Sequence, residues 1–171
     1  MEPTLSELQE LWRKVSEGHG GHCPVCQRWG KVYSIAMTGS MVKALGWLYK
    51  EHAATGEDWI NLPTNAPRSV MRSYAITSLK HWGFVQQKPP EVVVGKDGKV
   101  KKTKTKTSGL WAITPQGREF VLNKIAAPKK VFIYADHVRG YSDELVGAKE
   151  VMDKQFDYDA MMADTFTTRN G

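Results

Sequence analysis

The sequence predicts an α+β fold, and three observations carry that reading. Apolar residues recur at helical spacing through the first eighty positions, the pattern turns extended after Gly83, and a Thr-Pro helix start follows at Thr114. At 171 residues, 41% apolar and 25% charged, the chain has the composition of one globular domain, or of one with a small appendage. No apolar run approaches the roughly 20 residues that cross a bilayer, and Met1-Glu2-Pro3-Thr4 lacks the basic-then-apolar layout of a signal peptide. A membrane or secreted protein is therefore not expected. The two cysteines, Cys23 and Cys26, are too close in sequence to staple distant parts of a chain, so they read as a reduced metal or redox pair, and the expected compartment is cytoplasmic.

Each element has a local reason. Thr4-Leu5-Ser6-Glu7 has the form of a capping box, and Leu5, Leu8, Leu11, Trp12 and Val15 make one helical stripe after it. Gly18, Gly20 and Gly21 break that helix before a compact turn at Cys23-Pro24-Val25-Cys26. From Ser40 the residues Met41, Ala44, Leu45, Leu48 and His52 predict a second helix, stopped by Gly56. Asn61 to Asn65 reads as loop or brief strand. Pro67 then falls in the first turn of a helix running to about Gly83, with Met71, Ala75, Leu79 and Trp82 facing inward. Phe84-Val85 and Val92-Val93-Val94 lead into the turn Gly95-Lys96-Asp97-Gly98, and a return arm alternates Lys and Thr up to Thr107 before Leu110-Trp111-Ala112-Ile113. That is a long hairpin with a basic tip. Thr114 caps the next helix, with Pro115 in its first turn, Phe120, Val121 and Ile125 along it, and Pro128 as its end. In the tail a second hairpin sets Lys130–Tyr134 against Val138–Tyr141, and one or two short helices run to about Asp164. The expected segments are 1–38, 39–127 and 128–171.

The net charge of +6 is concentrated: Lys88 to Lys106 carry seven lysines against Glu91 and Asp97, a local +5. Such a patch suits a polyanion, because each lysine held at a phosphate releases condensed counterions. It equally suits a solvated hairpin kept soluble by its lysines.

The order of helix, short extended piece, helix ending in Leu79-Lys80-His81-Trp82-Gly83-Phe84-Val85, basic hairpin and Leu110-Trp111-Ala112-Ile113-Thr114-Pro115-Gln116-Gly117-Arg118 resembles a winged-helix domain over about Met41 to Ile125. The resemblance implies a winged-helix-like core with the long basic hairpin as its wing, and non-enzymatic binding of double-stranded DNA. In one respect the chain departs from the family: about eight residues, Ile60 to Pro67, stand where a full helix is usual. His22-Cys23-Pro24-Val25-Cys26, Ala66-Pro67-Arg68-Ser69-Val70 and Phe156-Asp157-Tyr158 also resemble a group of bacteriophage and prophage proteins, which implies a phage origin and supplies no activity.

The candidate site residues follow. On the third helix Arg68 and Arg72 are four apart with Ser69 and Ser73 beside them, so a groove-entering helix would turn all four toward guanine edges and phosphates. Lys99, Lys101, Lys102, Lys104 and Lys106 on the hairpin would track a phosphate backbone. Cys23 and Cys26 have the spacing of one zinc knuckle, with His22 and His19 as nearby ligands or with His52, His81 or His137 as remote ones. A knuckle without metal and a redox pair are the alternatives. Trp29 and Trp59, outside the helical stripes, are candidate stacking residues. No phosphate loop, dinucleotide fingerprint, zinc-protease helix or nucleophile elbow occurs, so no enzyme is expected. Asp157, Asp159 and Asp164 read as caps and a solvated face. The partners that follow are double-stranded DNA, acted on by a regulator or architectural factor, or RNA through the same hairpin, or a host protein bound by a phage-encoded interaction module. A homodimer through the leucine stripe is an alternative to packing that stripe on the chain's own core.

Overall fold

The chain mixes helices with short antiparallel strands, consistent with an α+β fold. The computed structural model describes residues 2–71, 75–102, 107, 109–152 and 157–163. In chain order the elements begin with α1 (Leu5–Glu17), β1 (Gly21–His22), β2 (Trp29–Gly30), β3 (Tyr33–Ala36), α2 (Gly39–Thr55), β4 (Ile60–Asn61), α3 (Leu62–Asn65), α4 (Arg68–Met71) and α5 (Ala75–Ser78). A 3₁₀ turn, Leu79–Trp82, leads to β5 (Val85–Gln87), β6 (Val92–Val94), β7 (Val100–Lys102), β8 (Leu110–Ile113) and α6 (Pro115–Val121). The chain ends with β9 (Ala127–Pro128), β10 (Lys130–Tyr134), β11 (His137–Tyr141), β12 (Leu145–Val146), α7 (Ala148–Met152) and α8 (Tyr158–Ala163). Two compact units result: Met1–Ala36 with Pro128–Leu145, and Met37–Ala127 with Val146–Gly171. The tail from residue 128 is thus shared between them.

In the first unit the capping box at Thr4 forms in full: its hydroxyl accepts from the Glu7 amide and its amide donates to the Glu7 carboxylate at 2.7 Å. The Thr4 amide, and after it the Thr4 hydroxyl donating to the same carboxylate at 2.9 Å, hold the Glu7 carboxyl below its ordinary range. The leucine stripe of α1 is only partly covered. Leu5 is 65% and Leu11 52% exposed, whereas Leu8, Trp12 and Val15 are half-buried. At about 100° per residue, Leu5 and Leu11 lie on the two margins of the stripe and the other three lie between them. A three-stranded antiparallel sheet runs in the order β11–β10–β3, with Val131 and Ile133 buried on β10. Its β10–β11 turn is two residues, Ala135 and Asp136, both at positive φ (49° and 63°), the geometry that matches strand twist. Gly30 is required for close packing, because a Cβ there would lie 2.6 Å from the Trp12 ring.

In the second unit α2 is the buried axis, with Val42, Leu45, Trp47 and Leu48 wholly inside. Thr38 caps its start, and Gly56, left-handed at φ 69°, ends it. A three-stranded antiparallel sheet runs β4–β8–β5, and the β6–β7 hairpin extends beyond its β5 and β8 strands. Where loop or brief strand was expected at 61–65, the chain makes both a strand and a helical turn: the Asn61 carboxamide accepts from the Thr64 amide at 3.2 Å, and Pro63 lies in the first turn of α3.

Three local expectations are corrected. Pro67, expected in the first turn of a helix running to about Gly83, stands just before α4, its carbonyl accepting from the Val70 and Met71 amides; the described residues of that stretch form α4, α5 and the 3₁₀ turn. Met71, expected inside, is 42% exposed while Val70 is buried, so the inward face at α4 is displaced by one residue from the stripe that Ala75, Leu79 and Trp82 continue. Finally, α6 stops at Val121 rather than passing Ile125, because Asn123 turns left-handed at φ 58° and leaves the helix. Upstream of that stop, Thr114 caps α6 through the Gly117 amide and donates to the Gly83 carbonyl at 2.6 Å, and the Phe84 and Phe120 rings stack 4.6 Å apart. The tail helices belong to the same core: the Tyr158 hydroxyl donates to the Val121 carbonyl at 2.7 Å, and Met152 is fully buried.

Candidate nucleic-acid interface

The second unit presents cationic side chains from two places. Arg68 and Ser69, both exposed, open α4 directly after Pro67, whose fixed φ sets the start of the helical turn. The sheltered Val70 anchors that turn to the core and leaves its neighbours outward. Arg72 and Ser73 lie outside the described residues.

The hairpin is the second place. Val92, Val93 and Val94 pair with Lys102, Lys101 and Val100, so β7 sets two consecutive lysines against an arm of valines. At the turn the Gly95 amide donates to the Lys99 carbonyl at 2.9 Å, the Asp97 carboxylate accepts from the Lys99 amide, and Gly98 takes φ 70°. This fixes a tight tip with Lys96 and Lys99 exposed. Lys96 belongs with the lysines named from sequence; counting charge up to the turn, and not only after it, identifies it. Lys88, at the other end of the segment, is 3.5 Å from Glu91, which offsets its charge. Lys104 and Lys106 lie outside the described residues.

The cysteine turn forms at the tip of the β1–β2 hairpin. The Cys23 amide donates to the Arg28 carbonyl at 2.8 Å and the Gln27 amide to the Cys23 carbonyl at 2.9 Å, with Gln27 left-handed at φ 58°. Amides of Cys26 and then Val25 donate to the Cys23 sulfur and hold its thiol below the ordinary value. The two cysteines are thus brought together, but the expected four-ligand set is not gathered: among the described residues no group of three or more His, Cys, Asp or Glu side chains could hold a metal. His22 instead places Nδ1 2.8 Å from the Gln27 carbonyl and turns its ring edge-on to Trp29, and His19 is exposed. The remote candidate His52 meets the Arg118 guanidinium at 3.1 Å.

No family model, curated protein or solved structure matches the chain.

One feature that sequence reading misses is a cleft of about 910 Å³ within the first unit. It is lined by Trp12, Tyr33, Phe132 and Tyr134 together with Lys31 and Arg139, and Lys31 lies 5.7 Å from the centre of the Tyr33 ring. Its walls come from α1, β3, β10 and β11, segments about a hundred residues apart, so no local motif marks it. Of the two tryptophans singled out, Trp29 is 57% exposed on β2 and Trp59 is half-buried. Among the described residues no helix is long and apolar enough to cross a membrane.

Proposed function

We propose that this is a double-stranded-DNA-binding protein of winged-helix type, acting by occupancy as a phage-encoded regulator or architectural factor. What supports it most is the β6–β7 hairpin, where Lys96, Lys99, Lys101 and Lys102 against Asp97 give a net +3, half of the chain's +6. The order of α2, β4, the one-turn α3, the stretch opened by Arg68 and then the hairpin supports this reading, with α3 in the short stretch where the sequence departs from that family. In this reading the segment opened by Arg68 enters the major groove, and Arg68 and Arg72 contact guanine edges or phosphates. The hairpin lysines Lys96, Lys99, Lys101, Lys102, Lys104 and Lys106 follow the backbone. Lysines alternating along a strand suit phosphate positioning, and base discrimination falls to the helix.

A fluorescence-anisotropy titration tests this, using a labelled mixed-sequence DNA duplex, the matching single strand and an RNA duplex. The expected result is tighter binding to duplex DNA than to either alternative. Replacing Arg68 and Arg72 by Ala should weaken it by about tenfold or more, given roughly 1–3 kcal/mol for each bidentate guanine contact. Unchanged affinity in that variant would reject the helix assignment. A second reading, an interaction module that binds a host protein, is favoured by one observation: Val92, Val93, Val94 and Val100 on the hairpin are each more than half exposed. Absence of duplex binding at low salt would select it.

A further inference from the structure

The cysteine turn presents two sulfurs at the spacing of half a zinc site. Cys23 and Cys26 sit on a hairpin tip whose backbone is fixed by the Cys23-to-Arg28 and Gln27-to-Cys23 bonds. Structural zinc takes four ligands in a tetrahedron, with sulfur at about 2.3 Å. All five histidines and both cysteines lie among the described residues, yet among those residues no third side chain joins the pair. His22 is turned to the Gln27 carbonyl and to Trp29, and the chain has no other cysteine.

The surroundings of the pair are open and partly apolar. Cys26 is exposed, and Val25 and Trp29 beside it are 63% and 57% exposed. A second knuckle related by a twofold axis would cover those two side chains and supply the two missing sulfurs, since an isologous contact repeats each half-site opposite itself. We infer that two copies of this chain share one Zn²⁺, each contributing Cys23 and Cys26, so that the metal closes a homodimer. Binding converts four thiols to thiolates and releases four protons to solvent, with no change of oxidation state. The resulting ZnS₄ centre carries two negative charges. This inference stands apart from the DNA reading, because neither depends on the other.

The test uses the full chain, stripped of metal by a chelator and kept reduced with a phosphine. Zn²⁺, and Co²⁺ as a visible probe of tetrahedral thiolate ligation, are titrated in while molar mass is followed by light scattering behind gel filtration. The expected end point is about half an equivalent of metal per chain, together with a rise from the 19.2 kDa chain mass to twice that value. Excess chelator should reverse it. Cys23→Ser or Cys26→Ser should abolish both uptake and dimer, and His22→Ala with His19→Ala should retain both. Circular dichroism of each variant, matched to the metal-free parent, separates loss of the site from loss of folding. One metal per chain with no change in mass would overturn the inference, as would a dimer that survives chelation, or no uptake at micromolar metal.

Discussion

The long hairpin has a foot and a tip, and the two obey different physics. At the foot, β5 pairs with β8 and buries Val85, Trp111, Ala112 and Ile113, with Phe84 and Phe120 stacked beneath. At the tip, β6 pairs with β7 and Val92, Val93, Val94 and Val100 all stay more than half exposed. A two-stranded ribbon has no third layer to bury either face, so its stability is borrowed from the foot that holds it. Stability and charge are thereby separated along one element. The foot should report on folding, the tip on binding.

The largest effect that would break this comparison is at the foot. Phe120→Ala removes a fully buried ring and should cost about 3–5 kcal/mol, read as a fall in the urea midpoint. Gly117→Ala comes next, at roughly 1–3 kcal/mol, because its Cβ would lie 2.2 Å from the Phe84 carbonyl oxygen and backbone must move. Thr114→Ala follows at about 1–2 kcal/mol, from the loss of the cap to Gly117 and of the bond to Gly83. At the tip, Lys96→Ala with Lys99→Ala should move stability by no more than about 0.5 kcal/mol in either direction. A large loss of stability from the tip pair would erase the distinction, while an unmoved midpoint with weakened duplex binding would sharpen it.

Local signals were legible where a residue type answers a backbone need. Thr4 with Glu7, Gly56 past α2, Gly83 at φ 72° and Thr114-Pro115 each supply a cap or stop that the chain uses as the sequence suggests. The Gly95–Gly98 turn was legible for the same reason; of the return arm read over Lys102 to Thr107, residues 103–106 lie outside the described residues, and the observed pairing runs over Val100–Lys102. What escaped depends on distant partners. β3 has only one half-buried position, Ile35, and becomes a strand because β10, about a hundred residues on, pairs with it. Met71 was placed inside by periodicity carried back from Ala75, whereas the buried position at α4 is Val70. At the cysteine turn the spacing predicted that two sulfurs would meet. It could not predict that His22 would prefer the Gln27 carbonyl.

The central claim is that the hairpin carries phosphate contacts, and the slope of log affinity against log salt tests it most directly. The parent chain and a variant with Lys96, Lys99, Lys101, Lys102, Lys104 and Lys106 changed to Ala would be titrated onto one DNA duplex across several salt concentrations. Each lysine engaged at a phosphate contributes about 0.9 to the slope, so the variant's slope should be shallower by several units and its low-salt affinity much weaker. An identical slope in the two proteins would contradict the account and place any DNA contact elsewhere on the chain.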